Sequence, residues 1–183
     1  MAEAEFFAEN QIIGIVPNFN YEKMSLISGN FGPFKTQKPV EVPLWLALEL
    51  KKKGKCTIIV PNWLDEEILK NLVELEKESA DKSNELKCKL PDFYFFELSI
   101  LLLHYSQDQI AHSTLLRTLI EDLFELRKKK LFISMKSIDF KERRVRKIEN
   151  ITFFEINMIR GVYQKAYEIG YSIADLVNIK RYA

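Results

Sequence analysis

The apolar positions change their spacing once along the chain. Between residues 12 and 60 they come in short runs: Ile12, Ile13, Ile15 and Val16 close on Pro17-Asn18, and Met24, Leu26 and Ile27 close on Ser28-Gly29-Asn30. Runs of that length, bounded by Pro, Gly, Ser and Asn, predict short strands. Phe31-Gly32-Pro33-Phe34 reads as a turn with aromatic anchors. Val40 and Val42 alternate with Glu41 between two prolines, which suits an edge strand because proline cannot donate to a ladder.

One helix is embedded in this β-rich stretch, at about residues 43–53. Pro43 fits its first position, Leu44, Ala47 and Leu48 share a face with Trp45 beside them, and Lys51, Lys52 and Lys53 fall in the last turn, where positive charge meets the helix dipole. Gly54 stops it. Cys56 to Val60 then returns as a β-branched strand.

From Asn62 onward the period is helical. Asn62 or Asp65 caps a helix with apolar positions Leu64, Ile68, Leu69, Leu72, Val73 and Leu75, and the polar run from Lys77 to Leu90 reads as an exposed loop. A second helix opens at Pro91-Asp92 and is apolar on almost every side through Tyr105. A third, expected to be the longest, runs from Ser113 to about Ile138 with Leu116, Leu119, Leu123 and Leu126 on one stripe and Ile120 and Phe124 beside it. Asn150 is placed to cap a last helix with two stripes. One holds Ile151, Phe154, Met158, Val162, Ala166 and Ile169; the other holds Ile156, Ile159, Tyr163 and Tyr167. The predicted class is α+β, mainly α: a small N-terminal β-rich domain at residues 1–61 followed by a helical bundle domain at 62–183.

Composition narrows the function. The 183 residues are 47% hydrophobic and 29% charged, with only 6 Gly and 6 Pro, which describes a folded globular chain. The balance of 27 basic and 26 acidic residues gives a net charge of +1, so the whole-molecule field offers little attraction to nucleic acid or an anionic membrane. Cys56 and Cys88 lie in unlike contexts with no secretory signal pattern ahead of them, and a reduced intracellular compartment is expected. The densest apolar run, Phe93 to Tyr105, is interrupted by Glu97, Ser99 and His104 and falls short of the roughly 20 residues a membrane span needs. No membrane partner is expected.

No catalytic apparatus is legible. There is no Gly-x-Gly-x-x-Gly and no Gly-Lys-Ser/Thr, and the nearest glycine-rich stretch, SGNFGPF, lacks the lysine and following helix of a phosphate cradle. His104 and His112 have no Cys or carboxylate at metal-ligand spacing, Cys56 reads as a core thiol, and Cys88 reads as a loop residue. The chain is therefore expected not to be an enzyme and to hold neither metal nor cofactor. Three basic clusters, Lys51 to Lys55, Arg127 to Lys130 and Lys141 to Lys147, keep a nucleic-acid-binding module open as the alternative. The first two are read as helix ends and the third is mixed with glutamate, so direct DNA contact is not required. The stronger signal is apolar surplus on two helices, which resembles a domain core cut in half and points to a protein partner. Phe93, Phe96, Ile100, Leu103, Phe154 and Met158 are the residues expected to meet that partner.

The chain resembles the GINS complex family of eukaryotic DNA replication. The resemblance is carried by AEFFAEN ending at Asn10, IIGIVPNF at 12–19, GNFGPF at 29–34, PVEVPLWLALELKKKGKCTIIVPNWL at 39–64, RTLIEDLFELRKKKL at 117–131 and NITFFEIN at 150–157. It implies a heterotetramer with three other GINS subunits, each with a helical and a small β-rich domain, here with the small domain first. It also implies a nuclear, non-catalytic role in joining the MCM ring and its cell-division-cycle partner protein into the active replicative helicase. On that resemblance the broad apolar helices would form the tetramer interface. The small domain, with Trp45, Lys51, Lys52 and Lys53, would lie near the MCM side, Trp45 and Trp63 anchoring its attachment.

Overall fold

A computed structural model describes residues 2–80, 86, 88–136 and 148–179. The elements in chain order are α1 (Ala2–Ala8), β1 (Ile12–Pro17), β2 (Met24–Leu26), β3 (Gly29–Phe31), β4 (Val40–Pro43), α2 (Leu44–Lys52), β5 (Cys56–Ile58), α3 (Glu66–Ala80), α4 (Phe95–Tyr105), α5 (Ser113–Lys136) and α6 (Phe153–Ile179). A small N-terminal sheet region followed by a helical bundle is the α+β, mainly α class expected. By contacts the chain forms two compact units: Met1–Leu69 with Tyr94–Ile120, and Lys70–Phe93 with Glu121–Ala183.

In the first unit β1 is the centre of a three-stranded antiparallel sheet in the order β4-β1-β5. Its register pairs Ile13 with Val42 and Ile15 with both Val40 and Ile58. Ile13 and Ile15 point into the core, as the two-residue period of a strand requires. Gly14 lies against Ile59, whose Cδ1 would stand 3.1 Å from an added Cβ, so a larger residue at this strand position would push the Ile59 side chain aside by a few tenths of an ångström. β2 and β3 form a separate hairpin, and Phe34 bridges back to Tyr21. The Phe31 to Phe34 stretch is thus the end of a strand followed by a bridge residue, not a free turn.

α2 buries Leu44, Leu46, Ala47, Leu48 and Leu50. It ends in a Schellman arrangement: the Lys55 N–H donates to the Leu50 carbonyl at 2.9 Å and the Gly54 N–H to the Lys51 carbonyl at 2.9 Å. Gly54 takes φ +65 to close it, a conformation in which a side chain is strained. Pro43 stands one position earlier than expected, at the N-cap. α1 was not predicted, because seven residues give too short a window for a helical period. Its close is anchored on α2, with the Leu44 and Trp45 N–H groups donating to the Gln11 and Glu9 carbonyls at 2.8 and 2.9 Å. α4 packs on α1 and α2 in the same unit.

The second unit is helical. Leu86, Leu131 and Ile159 form a core cluster, with Ile148, Ile151, Met158 and Tyr163 packed on it. The stretch read as an exposed loop is partly wrong: α3 continues to Ala80, and Leu86, Cys88 and Leu90 are buried. α6, with 27 residues, is longer than α5, with 24.

Candidate functional site

α5 presents Leu116, Ile120, Leu123, Arg127, Lys130 and Leu131 to the interior, a stripe at the three-and-four spacing of a helix in which two members are cations. Within the second unit, the two cations are enclosed by its own residues. Arg127, 0% exposed, makes a two-pronged contact with the Glu155 carboxylate: Nε donates to Oε1 at 2.7 Å and a terminal nitrogen to Oε2 at 2.9 Å. Its remaining donors reach the Cys88 carbonyl at 3.0 Å and the Asn150 carbonyl at 2.6 Å, and Glu76 Oε2 lies 3.6 Å away. Lys130 Nζ donates to the Glu76 carboxylate at 2.7 Å and to the Glu76 carbonyl at 2.6 Å.

Two buried cations therefore face two buried carboxylates, and α3, the segment through Cys88, α5, the turn at Asn150 and α6 all meet at one guanidinium. A planar fork of donors suits this task as a lysine alone could not. Removing any one charge leaves another desolvated and unopposed. Glu155 has a second role at the start of α6. Its Oε2 accepts from the backbone N–H and the hydroxyl of Thr152, both at 2.9 Å, which is the glutamate's half of a capping box over Thr152-Phe153-Phe154-Glu155. Asn150 does not cap α6. It takes φ +58 and donates from its carboxamide to the Leu86 carbonyl at 3.0 Å.

The first unit has its own polar fastening. Lys51 Nζ meets Asp108 at 2.6 Å, Lys52 pairs with Glu49 at 2.8 Å and lies over the Tyr105 ring at 5.1 Å, and Lys53 is exposed at the C-cap. The Lys51 contact holds the Asp108 carboxyl below its usual value, and the Glu49 contact raises Lys52. The Gln109 carboxamide oxygen accepts the Ile58 N–H at 3.2 Å, occupying a donor on the outer edge of β5. Trp45 packs edge-on to Phe31 at 6.2 Å and Trp63 against Phe95 at 5.0 Å.

Around these fastenings, apolar surface remains open. In the second unit Leu75, Phe93, Phe132, Ile133, Val162 and Ile169 are exposed; Val162 and Ile169, seven residues apart, share one face of α6. In the first, Phe6, Ile12 and Ile100 are exposed. Among the described residues no group of His, Cys, Asp and Glu is placed to hold a metal, and no helix is long and apolar enough to cross a membrane.

Comparison with known proteins accounts for both regions of the chain. Residues 1–59 match the family described as PSF2 N-terminal domain, and residues 63–173 match the GINS complex protein helical bundle domain. The human DNA replication complex GINS protein PSF2 is 39% identical over 156 residues, covering 85% of this chain and 82% of the relative. The Xenopus laevis protein of the same name is 36% identical over 94% of this chain and 90% of its own length. The chain belongs to the PSF2 family of GINS proteins. A probable Drosophila melanogaster PSF2 is 36% identical over 86% of the chain.

For this PSF2-family chain, the residues singled out from sequence separate into two groups. Phe96 and Leu103 are 2% and 3% exposed, and the chain already covers them. Phe154 is half-buried against Phe124 at 5.4 Å, and Met158 packs on the Leu86, Leu131 and Ile159 cluster. Phe93 and Ile100 are open, at 46% and 54%, the former with its ring 5.7 Å from that of Phe153. Trp45 is half-buried, and Lys51 is engaged with Asp108 while Lys52 and Lys53 face solvent. The α6 stripe thus runs from covered at Phe154 and Met158 to bare at Val162 and Ile169. The basic cluster at 127–130 is not a solvated helix end: Arg127 and Lys130 are buried, and α5 continues to Lys136. The cluster at 141–147 lies outside the described residues. What the sequence reading missed was the buried charge set. The signals available were Arg127 falling four residues after Leu123 on the buried stripe and the Thr-x-x-Glu pattern at 152–155.

Proposed function

We propose that the chain is a non-catalytic subunit of a GINS complex acting in DNA replication in the nucleus, and that it assembles with three other GINS subunits. The observation that carries this reading is the bare half of the α6 stripe, Val162 and Ile169, on a helix whose start is held by the buried Arg127 and Glu155 pair. A rigid helix with an uncovered apolar face suits a permanent subunit contact. The family assignment supports the same reading, since the relatives are named as proteins of the DNA replication GINS complex. We assign the larger role, joining the MCM ring and its cell-division-cycle partner protein into an active helicase, on the same grounds. Residues 1–61 and 62–183 would be the two functional modules, with Trp45, Lys52 and Lys53 on the helicase side. The nucleic-acid alternative is less well supported than the sequence suggested, because Arg127, Lys130 and Lys51 are engaged with carboxylates.

Native mass measured on the chain alone and co-expressed with the three other GINS subunits tests the assembly. A single 1:1:1:1 species is expected, and Val162→Asp with Ile169→Asp should abolish co-purification while leaving the circular dichroism spectrum intact. A folded double variant that still assembles removes α6 from the interface. A stable monomer that ignores those subunits overturns the reading.

A further inference from the structure

A groove of about 890 Å³ opens just beyond the end of β1, one wall running from Asn20 to Lys23 and the other from Pro33 to Thr36. Its walls are tied together. Tyr21 and Phe34 exchange backbone hydrogen bonds at 2.9 and 2.8 Å. The Asn20 carboxamide oxygen accepts from the Thr36 N–H at 2.8 Å and from its hydroxyl at 3.0 Å. A site fixed in this way loses little conformational freedom on binding. Phe34, 1% exposed and stacked on Phe19 with ring centroids 5.3 Å apart, gives the groove an apolar base, and Tyr21, 54% exposed, stands at its rim.

Each wall carries one exposed lysine, Lys23 or Lys35, and neither has an ion-pair partner among the described residues. The backbone of two more lysines, Lys55 and Lys38, lies at this end of the sheet. The Lys55 carbonyl accepts from the Asn18 N–H, two residues before the first wall, and the Lys38 N–H donates to the Lys35 carbonyl at the end of the second. Glu22 is the one carboxylate in the lining.

We propose that this groove docks an acidic linear segment of a partner protein, with an aromatic or aliphatic anchor set against Tyr21 and Pro33 and carboxylates meeting Lys23 and Lys35. The arrangement favours a peptide over nucleic acid. A nucleic-acid strand carries a phosphate at every nucleotide and so has no neutral unit to set opposite Glu22, and the lining has no arginine with which to fork a phosphate. A peptide can set a neutral residue opposite Glu22.

The test is fluorescence anisotropy on the full chain, alone or in the assembly it purifies with. The probe is a short labelled peptide of Asp and Glu around a central Phe, with a Phe→Ser version and a single-stranded oligonucleotide of equal charge as comparisons. The Phe peptide should bind tightest. Lys23→Glu with Lys35→Glu should weaken it by about tenfold or more, and Tyr21→Ala by about threefold or more, with Lys165→Glu as an unaffected control. These side chains are exposed, so the fold should survive. Should the double reversal unfold, the Lys23→Gln, Lys35→Gln pair reads the same loss. Tighter binding of the oligonucleotide, indifference to the central Phe, or an unchanged affinity in the double variant each overturns the proposal. Co-purification with the other subunits, followed on the same variants, should not change, so failure of the groove and failure of the subunit assignment are separate results.

Discussion

Replacing Arg127 by Met keeps an unbranched apolar stem and removes the guanidinium with its charge. The variant loses both bonds to Glu155, those to the Cys88 and Asn150 carbonyls, and the Glu76 contact. Lys130 is then left to oppose two buried carboxylates. Breaking a buried pair from one side typically costs about 3–5 kcal/mol, because the partner's charge stays desolvated. That is a large share of the roughly 5–15 kcal/mol by which a domain is stable. At about 2–4 °C per kcal/mol for a chain of this size, the midpoint should fall by about 6–20 °C. Thermal and urea unfolding followed by far-ultraviolet circular dichroism at neutral pH will read it. Lys129→Met is the control: it removes a cation two residues away from an exposed position and should stay within about 0.5 kcal/mol of the parent. In a double-mutant cycle with Glu155→Gln, the combined loss should be smaller than the sum, since the second change removes the charge that the first left unopposed. If Arg127→Met behaves like Lys129→Met, the buried charges do not hold the helices together and the reasoning fails.

Two further outcomes follow from local geometry. Gly54→Ala should cost only about 1 kcal/mol, because an added Cβ meets nothing within 4 Å and the loss comes from the left-handed backbone alone. Gly32→Ala should cost more in the same urea titration, since φ is +115 and the Cβ would stand 3.1 Å from the Glu22 carbonyl. Cys56, its thiol pushed up to about 11 by burial, and Cys88, also raised chiefly by burial, should be alkylated by iodoacetamide at pH 8 far more slowly in the native chain than in urea, as read by mass spectrometry. The unfolded thiol releases its proton near 9.0 and the folded Cys56 thiol does so only near 11, so this group's contribution to stability is complete below pH 9 and is lost as pH rises through that window.

Strong local patterns transferred from sequence to structure. β1 follows from the short apolar run closed by Pro17-Asn18, the close of α2 from a lysine run and Gly54, and the start of α3 from Asp65, whose carboxylate accepts the Glu67 N–H at 3.1 Å. What did not transfer depends on contacts distant in sequence. Leu86, Cys88 and Leu90 sit in a polar stretch of lysines, and only the meeting of Arg127 with the Cys88 carbonyl shows why that stretch is drawn inward. Arg127 and Lys130 read as solvated because charge normally is, and no local pattern identifies Glu76 and Glu155 as partners 51 and 28 residues from Arg127. The apolar surplus of α4 was overcounted for a related reason. A helix buried on most of its circumference by its own chain looks, in one dimension, like a helix waiting for another. The exposed Val162 and Ile169 differ from the covered Phe154 and Met158 only by position along one stripe, and that position acquires meaning only once the Leu86, Leu131 and Ile159 cluster is placed.

The bond from Gln109 to Ile58 has a bearing on solubility. A three-stranded sheet with open edges offers rows of unpaired backbone groups to any extended chain, and uncontrolled strand addition is a route to aggregation. At the β5 edge one outward N–H is taken by a side chain from the turn after α4, so an incoming strand would have to displace an internal acceptor before it could pair there. At the other edge β4 ends in Pro43, which has no N–H to offer. The three-stranded sheet is therefore guarded on one side by a borrowed carboxamide and on the other by an imino acid, and each makes the addition of a foreign strand less favourable.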